Sequence, residues 1–166
     1  EKERETIIKT ERDAVANFIR DSGLCKQECY NLSVEDIENN IRNPNYYLSP
    51  ALYIRALEEY YTVNIFIFQR NASTPSGNLV IPNHHMKHGY IFTPLKSRLS
   101  VLIYEHTGGI WDTQYACELI IHYNPTTLKT VTVFNPDDKI IINLYKQMLQ
   151  MYSIYEVNRV VQPVQI

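Results

Sequence analysis

The 166-residue sequence is 45% hydrophobic and 20% charged, values of a globular chain able to bury a core. Its 16 basic and 18 acidic residues leave a net charge of −2, against direct nucleic-acid binding, which depends on neutralising phosphates. No apolar run approaches the ~20 residues of a membrane span, the charged first twenty residues are no secretory signal, and three cysteines make a poor disulfide scaffold. The expectation is one domain over residues 1–166, not secreted and held in a reducing compartment. Because the first residue is Glu1 and not Met, a fragment of a longer protein is expected.

In chain order, residues 2–20 read as a helix. Ile7, Ile8, Val15, Phe18 and Ile19 recur at helical spacing, and Gly23 suits a left-handed C-terminal cap. A second helix begins after Ser33, an N-cap with Asp36 three residues on, and stops near Arg42-Asn43-Pro44. A third has Ser49 as cap, Pro50 at its first position and Ala51 to Tyr61 as its body. Its wide apolar stripe predicts burial, with Leu57 fully inside.

Thr62 to Gln69 follows as an unbroken β-branched and aromatic run, the pattern of a central strand. Residues 70–78 read as a polar turn and Leu79-Val80-Ile81 as a short strand. Residues 82–98 read as a loop. Leu99 to Glu105 is a strand, Thr107-Gly108-Gly109 a turn, and Tyr115 to Tyr123 one continuous strand. Lys129 to Phe134 is another, paired with it through Asn124-Pro125-Thr126-Thr127. Asp137 to Tyr152 reads as a helix, and the remainder as extended. The fold class is α+β: a mixed or antiparallel sheet of about five strands packed with helices.

Three constellations could carry chemistry. His84, His85 and His88, with His106, are weak metal candidates. No helix is predicted there to align the i, i+4 pair, so the expectation is a solvated loop without metal or cofactor. A cysteine nucleophile needs an imidazole beside it. Cys117 and His122 lie five apart in one predicted strand, so their side chains leave opposite faces. Cys117 is expected mid-sheet, buried and inert. Cys25 and Cys29 follow the first helix with no element bringing a histidine to them. The glycine turn at Gly108-Gly109 joins two strands and does not open a helix, so it is no phosphate loop.

The segment Tyr47-Leu48-Ser49-Pro50-Ala51-Leu52-Tyr53-Ile54-Arg55-Ala56-Leu57-Glu58-Glu59-Tyr60-Tyr61-Thr62-Val63-Asn64-Ile65-Phe66-Ile67-Phe68 resembles the helix-to-strand segment of the OTU (ovarian-tumour) cysteine protease family. Val101-Leu102-Ile103-Tyr104 and Cys117-Glu118-Leu119-Ile120-Ile121 resemble that family's closing strands. The order of these blocks, with Lys26 to Ser33 and Leu79 to His84, is also similar to parts of very large proteins of nucleocytoplasmic large DNA viruses. The resemblance covers roughly residues 24–123 and implies an OTU-like, papain-like architecture.

The catalytic residues of the family do not carry over. Asp21-Ser22-Gly23-Leu24-Cys25 has the look of the nucleophile segment but lies too near the third helix. The family's histidine position reads Ala116. His122-Tyr123-Asn124 spells the family's triplet, displaced by roughly 20 Å along the predicted strand. The resemblance therefore implies a non-catalytic interaction domain of a large viral protein, with no catalytic residues and no cofactor. Its partner would be another protein, viral or ubiquitin, met in the cytoplasm or nucleus of an infected cell or inside the virion. The alternative is an active deubiquitinase whose nucleophile lies upstream or is Cys25, with His122 and Asn124. A module of viral transcription machinery is the third reading.

Overall fold

The structure is a computed structural model, and it describes residues 1–24, 32–71, 74–79, 97–107 and 115–161. The chain divides into two compact units, one holding Glu1–Thr62 and the other the described residues from Val63 onward. In both, helix caps and apolar periodicity explain the elements.

The first unit is helical. Helix α1 spans Lys2–Ser22 and ends at Gly23, whose φ of 65° is the left-handed cap that only glycine adopts without cost. Helix α2, Val34–Arg42, starts where the Ser33 hydroxyl accepts from the Asp36 amide at 3.0 Å. Helix α3, Pro50–Tyr61, starts at Ser49 with proline at its head. It bends at Tyr53 (φ −106°, ψ 16°) and closes on Thr62, a left-handed residue at φ 54°.

Val15, Ala16 and Ile19 of α1 are buried, as are Ile37 and Ile41 of α2. Polar ties join the same helices. The Arg12 guanidinium donates to the carbonyls of Ile41, Asn43 and Tyr46, satisfying acceptors that the end of α2 leaves without helical partners. Arg42 reaches back to Asp13 and Asn17 of α1. Phe18 of α1 meets Tyr60 of α3 edge to face at 5.5 Å, and the Tyr61 hydroxyl donates to Glu11.

The second unit holds strands β1 (Asn64–Asn71), β2 (Thr74–Leu79), β3 (Ser100–Thr107), β4 (Tyr115–Leu119), β5 (His122–Asn124) and β6 (Lys129–Val131), followed by helix α4 (Lys139–Val161). The sheet order is β2-β1-β3-β4, with β5 and β6 forming a separate ladder. Strands β1 and β3 are parallel, and both outer pairings are antiparallel, so the sheet is mixed. β1 is an interior strand, as its apolar run predicts, with Ile65, Phe66 and Ile67 buried.

Alternation sends Phe66, Leu79 and Leu102 to one face. There they form a core with Phe134 and with Ile141, Leu144 and Met148 of α4, residues spaced three and four apart on one helical stripe. Asp138 caps that helix by accepting from the Ile140 amide. Among the described residues no helix is long and apolar enough to cross a membrane.

The α+β class stands, and several features differ from the sequence reading, among them the predicted strand Lys129 to Phe134, which ends at Val131 while Phe134 bridges to Ser100. Among the described residues the sheet has four strands, and the fifth and sixth form a ladder of their own. The polar run after Gln69 is largely strand: β1 continues to Asn71 and β2 starts at Thr74. The predicted strand Tyr115–Tyr123 breaks at Ile120 and Ile121, so His122 belongs to the other ladder. The tail expected to be extended continues α4 to Val161.

Candidate functional site

Chemistry-bearing residues gather where the parallel strands β1 and β3 end and β4 begins, the end of a parallel pair at which open sheets offer ligand sites. In register, Gln69 of β1 stands beside Glu105 of β3, which stands beside Cys117 of β4. Partners in register share a face. The Gln69 amide donates to the Glu105 carboxylate at 2.7 Å, and only 2% of Glu105 is exposed. A buried carboxylate held by an amide donor meets the requirement that buried polar groups be hydrogen-bonded.

The next residues along β3 and β4 face the other way. His106 Nε2 lies 3.2 Å from Glu118 Oε2, and its ring meets Tyr104 edge to face at 4.7 Å. Cys117 and His106 therefore leave opposite faces of the sheet, an arrangement unsuited to a thiol and its general base. The expectation of a buried, mid-sheet Cys117 is corrected: it is exposed on β4, which pairs only with β3 among the described strands. An apolar neighbourhood in the sequence does not distinguish an interior strand from an outer one.

The triplet His122-Tyr123-Asn124 forms β5, paired with β6 as His122↔Val131, Tyr123↔Thr130 and Asn124↔Lys129. This ladder leaves the main sheet between two anchors on β3. The Ile120 amide donates to the Leu102 carbonyl at 2.9 Å. Ser100 and Phe134 exchange both of their backbone bonds, at 2.8 and 2.9 Å. Residues 121–133 thus make an arm between them. Its turn is held by the Asn124 side chain, which accepts from the amides of Thr126 and Thr127.

Val131 packs toward the core. The face alternating with it carries Tyr123 and Thr130, flanked by Ile121 and Leu128. Ile121 is 53% exposed, Tyr123 51% and Leu128 73%, with Leu119 just before the arm at 50%. Leu128 takes a left-handed φ of 54°. Sequence reasoning missed this surface because it read Tyr115–Tyr123 as a single buried strand. The turn at Asn124-Pro125-Thr126-Thr127 is legible in the sequence, but no local signal marks the break at Ile120 and Ile121.

Cys25, Cys29, His84, His85 and His88 lie outside the described residues. Among the described residues, no group of three or more His, Cys, Asp and Glu side chains could hold a metal ion.

No family model matches the chain, and no solved structure matches it. It is similar to the uncharacterized protein 295L of Invertebrate iridescent virus 6, at 30% identity over 73% of this chain and 11% of that protein. It is also similar to the uncharacterized protein 016R of Invertebrate iridescent virus 3, at 26% identity over 81% of this chain and 11% of that protein. The chain thus spans about a tenth of the length of these relatives, both proteins of large DNA viruses, and a place within a viral protein of that class fits both matches.

Proposed function

We propose that the chain is a non-catalytic, OTU-like interaction module of a large viral protein that works through contacts with another protein. The observation that carries this reading is the arm at residues 121–133, which keeps Ile121, Tyr123 and Leu128 half or more exposed while its other side is tied to a core. Large apolar side chains gathered on one exposed element mark contact surfaces. The opposite facing of Cys117 and His106 supports the absence of catalysis. The succession of α3 directly into β1 supports the OTU-like architecture. The near balance of charge supports a protein partner over nucleic acid.

An electrophilic ubiquitin probe tests the reading. The chain is incubated with it beside the Cys25→Ala and Cys117→Ala variants, and mass spectrometry follows the products. No covalent adduct is expected. An adduct that forms with the wild type and is lost in Cys25→Ala would overturn the reading in favour of an OTU-type enzyme using Cys25 with His122 and Asn124.

A further inference from the structure

We draw no further inference here: the strongest candidate, the exposed apolar face that Ile121, Tyr123 and Leu128 form on the arm at residues 121–133, belongs to the interaction surface already described, and nothing in the structure shows what covers it.

Discussion

Cys117 shows how far one strand's position in a sheet changes a side chain's chemistry. In an interior strand its thiol would be screened from reagents. On β4 it is open to solvent beside a buried carboxylate, so native protein should be alkylated at Cys117 by a maleimide within minutes, and Cys117→Ser should abolish that product in a peptide map. Labelling at this site only after denaturation would contradict the exposed edge. Tyr61 supplies a second residue-level test. Partial burial, then its hydrogen bond to Glu11, raises its pKa above the ordinary 10.0, and the neighbouring Tyr60 shifts the same way. Below that unfolded value the phenol is neutral in both states and its contribution to stability is complete. As pH rises past it, the unfolded chain releases the proton while the folded chain retains it, so stability falls until the folded phenol also ionises. The denaturant midpoint should therefore decline above pH 10 less steeply in Tyr61→Phe than in the wild type, by a modest margin because the ring is half solvated. The caps at Ser33 and Gly23 were legible from sequence because each is a local steric or hydrogen-bonding requirement. The buried carboxylate of Glu105 was not, since hydrophobic periodicity gives no sign of a charged residue whose partner, Gln69, comes from another strand.

Elements were read well where the signal was local. Helices α1, α2 and α3 fall within two residues of their predicted limits, and the apolar run that predicted a central strand is β1. Phe66 on that strand is fully buried against Leu102, Phe134 and α4. Phe66→Ala should cost about 3–5 kcal/mol in a denaturant titration. A loss below 1 kcal/mol would mean that this face of the sheet is not the core. Where the reading failed, the deciding contact was non-local. Nothing in Glu118-Leu119-Ile120-Ile121-His122 signals that the chain leaves β3 after Ile120, because the break is set by the return of Phe134 to Ser100. The polar residues from Thr74 to Asn78 have turn-like composition, yet backbone pairing with β1 makes them a strand. The last third of α4 contains valine, tyrosine and isoleucine, which favour extended structure weakly. A helix already started adds each residue at little further cost.

On the scale of the whole molecule, the α+β class was legible because runs of period 3.6 and period 2 occupy separate stretches of sequence. The division near Thr62 was not read, although the charged residues thin out across it: 20 of the 34 lie in residues 1–62. The mixed order β2-β1-β3-β4 was also out of reach, because local patterns do not say which strands become neighbours. The two backbone anchors on β3 have one more consequence. Ile120 and Phe134 fix where the chain leaves the sheet and where it returns, and the sheet reads only those two points. The tip between Asn124 and Lys129 can therefore grow, shrink or change its side chains among homologues without shifting the register of β4 or displacing Phe134 from the core. Such a tip is free to diverge quickly while its scaffold is held by packing.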